Sequence, residues 1–229
     1  MMLQRSAIWV LLIFLVTASA FAQQTQGVVI ISTAIDKQGR TESTTFTATN
    51  EKAKDSGISD SIMTETYFRL DTIALVYPND RSGMILGRDS AMALFWPEHA
   101  DSVRHIAPST QSKIISGFHC TCTDVFFTSG RRAEFWITSE VDSNICRFFA
   151  RSSWNKLWMN DGTYGFIKDL NEHNKIFICR RSFDAFGQFD EQSTIEKIAM
   201  TMISGDELNI PSSYKIIPTT PEIMKKARK

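Results

Sequence analysis

The stretch Gly27-Val28-Val29-Ile30-Ile31-Ser32-Thr33-Ala34-Ile35, read with Thr41-Glu42-Ser43-Thr44-Thr45-Phe46-Thr47-Ala48-Thr49, decides the fold class. Both halves are crowded with β-branched residues, which lose side-chain freedom in a helix and pack well on a pleated surface. Between them Asp36-Lys37-Gln38-Gly39-Arg40 supplies a turn, with Gly39 able to take the positive φ that a tight hairpin needs. The sequence therefore predicts two adjacent antiparallel strands.

Working outward, the same alternation of short apolar pieces and turn residues continues. A polar segment from Asn50 to Ser61 reads as a long loop. Ile62 to Leu70, Thr72 to Tyr77, Met84 to Gly87 and Ala91 to Trp96 read as strands, divided by Pro78-Asn79-Asp80, Ser82-Gly83 and Asp89-Ser90. Pro97 to Pro108 reads as an irregular excursion. Ile114 to Thr128 and Arg132 to Ser139 flank Ser129-Gly130-Arg131 as one hairpin, and Thr163 to Leu170 and Lys175 to Phe183 flank Asn171 to Asn174 as another. A long strand runs from about Thr194 to Ile203.

One internal helix is expected, Ser143 to Met159, capped by Asp142 or Ser143. Ile145, Phe148 and Phe149 mark one face, and Ala150, Trp154 and Leu157 the opposite one. Such a helix is buried on both sides, breaks near Ser152-Ser153, or lies against something other than protein. Nine or ten strands with one helix make an α+β plan dominated by antiparallel sheet.

At the N-terminus, Gln4 and Arg5 precede an apolar run from Ala7 to Val16 that ends in small residues, with Ala20-Phe21-Ala22 before Gln23. This is the pattern of an export signal cleaved after Ala22, and its apolar core is shorter than the roughly 20 residues that span a bilayer. No cysteine follows the expected cut, so no lipid attachment is expected there. The expected organisation is a cleaved leader over 1–22, one domain over 23–217 and a short basic helix or tail over 218–229. Export places the mature chain in the periplasm or outside the cell as a soluble protein.

Cleavage would leave 229 − 22 = 207 residues. The whole chain carries 25 basic and 25 acidic residues, and the leader holds only Arg5 of these. A near-neutral chain lacks the basic excess that nucleic-acid binding requires, so no nucleic-acid partner is expected. Lys225, Lys226, Arg228 and Lys229 form the sole basic run.

The richest cluster for chemistry is His119-Cys120-Thr121-Cys122. On a strand Cys120 and Cys122 face one way and His119 the other, leaving two convergent thiols, which is too few for a zinc site. No metal and no cofactor are expected. The four cysteines, Cys120, Cys122, Cys146 and Cys179, are either small buried hydrophobes or disulfide partners in an oxidising compartment. Direct pairing of Cys120 with Cys122 is disfavoured, because β-carbons two apart on a strand stand about 6.6 Å apart and a disulfide wants about 3.8 Å. No nucleophile elbow, phosphate loop or dinucleotide fingerprint is present, and no catalytic residue is assigned.

Ile115-Ser116-Gly117-Phe118-His119-Cys120, followed by Gly130 and then Glu134-Phe135-Trp136-Ile137-Thr138, resembles the pattern of domain-of-unknown-function family 4412. Leu208-Asn209-Ile210-Pro211-Ser212-Ser213-Tyr214-Lys215 is similar to that family's closing motif, with Ser213 in place of the usual glycine. The resemblance covers Gly27 to about Lys215. It implies a LolA-like architecture, as in the periplasmic lipoprotein carriers LolA and LolB: a strongly curved, unclosed half-barrel sheet with a helical segment over its concave face. It further implies non-enzymatic binding of an apolar or amphipathic ligand such as a lipid or acyl chain. Phe148, Phe149, Trp154, Leu157 and Trp158, on the expected helix, are the candidate ligand-lining residues. An envelope protein-protein interaction module is the second reading, and a hydrolase or metalloenzyme the third.

Overall fold

The computed structural model describes residues 24–59, 62–69, 71–87, 90, 101–152 and 163–219. The opening hairpin forms as the β-branched runs require. Strand β1 (Gln24–Asp36) pairs antiparallel with β2 (Thr41–Ala48), and Gly39 turns the chain at φ 78°. A meander continues through β3 (Ala53–Ser59), β4 (Ile62–Phe68), β5 (Thr72–Tyr77) and β6 (Ser82–Gly87). A second meander runs through β7 (Val103–Ile115), β8 (Phe118–Phe127), β9 (Arg132–Thr138), β10 (Ile176–Phe183) and β11 (Phe189–Ser204). Pairing of β1 with β11 joins the two, and β12 (Lys215–Pro218) adds in parallel to β6.

Among the described residues the result is one twelve-stranded sheet in the order β12-β6-β5-β4-β3-β2-β1-β11-β10-β9-β8-β7, strongly curved and unclosed, with β12 and β7 as its two edges. Curvature shows in the packing. Ile73 and Leu86 from β5 and β6 share one buried cluster with Cys120 and Cys122 from β8, although these strands lie near opposite ends of the order. Helix α1 (Ser143–Arg151) lies on this inner face against β1 and β11. The fold is α+β, a mainly antiparallel half-barrel.

Several elements differ from the sequence expectation, each for a physical reason. The polar stretch read as a loop over Asn50 to Ser61 contains β3, whose Ala53 and Gly57 are buried between flanking strands; cross-strand packing outweighs its weak β propensity. The irregular excursion is a strand from Val103 on, with Pro108 at a register shift on the outermost strand, where a missing N–H costs no ladder bond. Ile114 to Thr128 is not one strand. Ser116 (φ 50°) and Gly117 (φ 86°) form a two-residue turn between β7 and β8, both residues having the positive φ of a type I′ hairpin.

The segment expected as a strand from Thr163 to Leu170 is helix α2 (Tyr164–Glu172), so the hairpin across Asn171 to Asn174 does not exist. Ile167 and Leu170, three apart, pack on one side into Val125, Phe127, Phe135 and Ile137. Those strand residues alternate with Cys122 and Trp136, which face α1, so α2 covers the outer face of β8–β10. The expected helix Ser143 to Met159 ends at Arg151. There the Ser152 hydroxyl donates to the Phe148 carbonyl at 2.7 Å, the break near Ser152-Ser153 that the two apolar faces allowed. Leader residues 1–22, the strand Ala91 to Trp96, and the terminal helix after Pro221 lie outside the described residues.

Candidate functional site

The outer face of the sheet is covered in two places. Helix α2 caps one, where Phe135 meets Phe166 and Phe177 edge-on at 5.3 and 5.5 Å. The chain after β11 caps the other, laying Leu208, Ile210 and Tyr214 beside β4–β6, where Tyr67 donates to Glu65 at 2.7 Å and Lys54 pairs with Glu65 at 3.5 Å. Arg69 ties this segment down through the Leu208 carbonyl. The inner face is left to α1 alone among the described elements.

Asp142 caps α1 by accepting from the Asn144 N–H at 2.8 Å, so the helix starts where β9 ends and crosses the middle of the inner face. Ile145, Phe148 and Phe149 point into the core, with both phenylalanines 7% exposed and their rings edge-on at 5.8 Å. Around them Ile30, Met84, Ile115, Phe118, Ile198 and Met200 pack on the core yet stay partly accessible. These residues come from β1, β6, β7, β8 and β11, so an apolar lining extends from α1 toward both open edges. Of the candidate lining residues, Phe148 and Phe149 are on the inner face; Trp154, Leu157 and Trp158 lie outside the described residues.

Polar groups punctuate this lining in three places. Near the β8–β10 turns, Arg132 pairs with Asp124 at 3.3 Å and with Glu134 at 3.0 Å, and Arg181 pairs with Glu134 at 3.1 Å. The same guanidiniums lie 4.3 and 5.3 Å from the Phe183 ring. On β3, Asp55 buries its Oδ1 without a hydrogen-bond partner, and burial followed by repulsion from Glu42 pushes its carboxyl up to about 7. Near the β7 edge, the Lys113 ammonium sits 3.8 Å from the centre of the Trp136 ring. Sequence reasoning missed Lys113, because reading β7 and β8 as one strand beginning at Ile114 hid the turn that folds it onto Trp136.

The four cysteines are free and buried. Burial raises each thiol above its ordinary range, Cys122 to about 11, which keeps them protonated at neutral pH. Cys122 and Cys179 both pair with Trp136, one on each side, so they stand two strand spacings apart, about 9.5 Å. A disulfide tolerates about 7 Å between α-carbons. His119 is exposed and bonds Glu140 at 2.9 Å, facing away from the buried Cys120 and Cys122 as strand alternation requires. Among the described residues no three metal-ligating side chains converge, and no helix is long and apolar enough to cross a membrane.

With this geometry in view, the chain's likenesses are of fold. No protein-family model matches the sequence, and no curated relative does either. A conserved uncharacterised protein from Thermus thermophilus is similar in structure with a TM-score of 0.53 at 6% identity, over 86% of this chain and 93% of that one. Looser similarity extends to the MucA/MucB complex of Pseudomonas aeruginosa, TM-score 0.47 at 11% identity over 88% of this chain and 61% of that chain. A LolA superfamily protein from Nitrosomonas europaea is similar at a TM-score of 0.29 and 5% identity, over 82% and 91% of the two chains.

Proposed function

We propose that the chain is an exported cell-envelope protein that binds, without chemical conversion, an apolar or amphipathic ligand on the inner face of its half-barrel. One observation carries this reading. An open sheet whose outer face is covered at both ends by its own chain keeps an inner lining of Ile30, Met84, Ile115, Phe118, Ile198 and Met200 partly accessible around α1. Exposed apolar area gathered on one concave surface marks a binding site, since scattered single residues would serve a purely structural sheet as well. The leader pattern and the sequence resemblance to family 4412 support the address and the lipid-like character of the ligand. A binding role also accords with the polar groups present. The Asp124–Arg132–Glu134–Arg181 network is internally neutralised, and the thiols are held protonated, so neither offers an activated nucleophile.

Titration with the neutral fluorophore 1-aminoanthracene tests the reading. The unaltered protein is expected to enhance its emission saturably, and Met84→Glu, which puts a charge into the lining, is expected to weaken uptake with the fold retained. Uptake unaffected by Met84→Glu and by Ile198→Glu would move the site off the inner face.

A further inference from the structure

Among the positive charges on the inner face, Lys113 stands apart. Arg132 and Arg181 are neutralised by Asp124 and Glu134, whereas no carboxylate pairs with Lys113 among the described residues. It projects from β7 opposite Cys120, between the apolar side chains of Ile115 and Phe118 and the ring of Trp136. The ring holds the ammonium in place through its face. Trp136 itself is 5% exposed, and its Nε1–H is buried with no acceptor among the described residues, so a second donor beside the ammonium lacks a partner. An exposed ammonium without a paired carboxylate, beside an apolar lining, is the complement of an oxyanion carried on a hydrocarbon chain.

We infer that Lys113, seated on Trp136, is the headgroup-binding residue of the inner face, and that the ligand is an anionic amphiphile with a carboxylate or phosphate head. This inference rests on the binding reading above and names the class of its ligand. The head lies at the β7 edge against Lys113, and the chain runs along Phe118 toward α1 and the lining of β1 and β11. Across the face, the Glu42 carboxylate on β2 lies without a paired cation among the described residues and disfavours a negative head there, which sets the orientation. Lys113 is exposed, so a ligand reaches it without unfolding the edge strand.

The test compares 11-(dansylamino)undecanoic acid with its methyl ester, which differ only in the charged head. The unaltered protein binds the acid more tightly than the ester. Lys113→Met, which keeps an apolar stem on Trp136, weakens the acid by roughly tenfold, the worth of one charge-assisted contact, and leaves the ester unchanged. Lys113→Arg restores the acid. Dodecyl phosphate displaces the bound acid at concentrations where acetate and inorganic phosphate do not. Equal affinity for acid and ester, or an equal loss of both in Lys113→Met, overturns the headgroup role while leaving the apolar site in place. Displacement by acetate or inorganic phosphate as effective as by dodecyl phosphate also overturns it, as a free-anion site. Failure of both probes to bind the unaltered protein removes the binding reading and this inference together.

Discussion

At the scale of single residues, Asp55 ties fold to pH most directly. Below the ordinary carboxylate range, near 3.8, both the folded and the unfolded chain carry its proton; between there and about 7 only the folded chain does. Stability contributed by that proton therefore falls as pH rises through this window, and the loss is complete once the folded group ionises. Thermal unfolding followed from pH 4 to pH 8 is expected to show Tm declining up to about pH 7 and levelling above it. Asp55→Asn should flatten that limb, and an unchanged profile in the variant would place the dependence elsewhere. Phe149, 7% exposed beneath α1, gives a second prediction. Its replacement by Ala is expected to cost about 3–5 kcal/mol in chemical denaturation, the range for a large buried aromatic. The thiols supply a third: Ellman's reagent should label none of the four at neutral pH until denaturant is added, because burial both shields them and keeps them protonated.

At the scale of elements, what decides the structure is how closely neighbouring strands approach. A β-carbon built on Gly27 would fall 2.2 Å from the Ala48 carbonyl oxygen and 2.3 Å from Ile203, so β1 packs against its neighbours only because that position has no side chain. Gly27→Ala should destabilise the protein by roughly 1–3 kcal/mol, the usual cost of overpacking, measured as a lower denaturation midpoint. Elements with strong local signals were legible in the sequence: the β1–β2 hairpin from its β-branched runs, β5 from Thr72 to Tyr77, and the Ser129-Gly130-Arg131 turn. Those that form through their neighbours were not. Strand β3 is polar and holds its place by pairing on both sides, and β12 is four residues that only the edge of β6 makes into a strand. Helix α2 reads as a strand in the sequence because a nine-residue segment with Gly165 and a single apolar face gives little periodicity, and because the outer face of β8–β10 that receives it is a tertiary feature. The candidate site was legible in the same measure. Phe148 and Phe149 follow from helical spacing, but the Lys113–Trp136 contact requires the register across a turn that sequence reading passed over.

At the scale of the whole molecule, an open sheet of this width has to dispose of two faces and two edges. Its own chain covers the outer face twice, with α2 at one end and the segment from Leu208 to Tyr214 at the other, while β12 covers the edge of β6. The β7 edge carries Pro108 and a register shift, devices that discourage pairing with another sheet. Among the described residues the largest group of partly accessible apolar side chains, six of them, lies on the inner face, and it is this group that supports the proposed ligand site. Native mass spectrometry of the protein purified from the cells that naturally make it is the sharpest check on an inner-face ligand. The expected result is a population heavier than the bare polypeptide by the mass of one non-covalent amphiphile, which is shed on collisional activation and reduced in Met84→Glu. A bare mass throughout, or a stoichiometric protein partner with no small molecule retained, would contradict it.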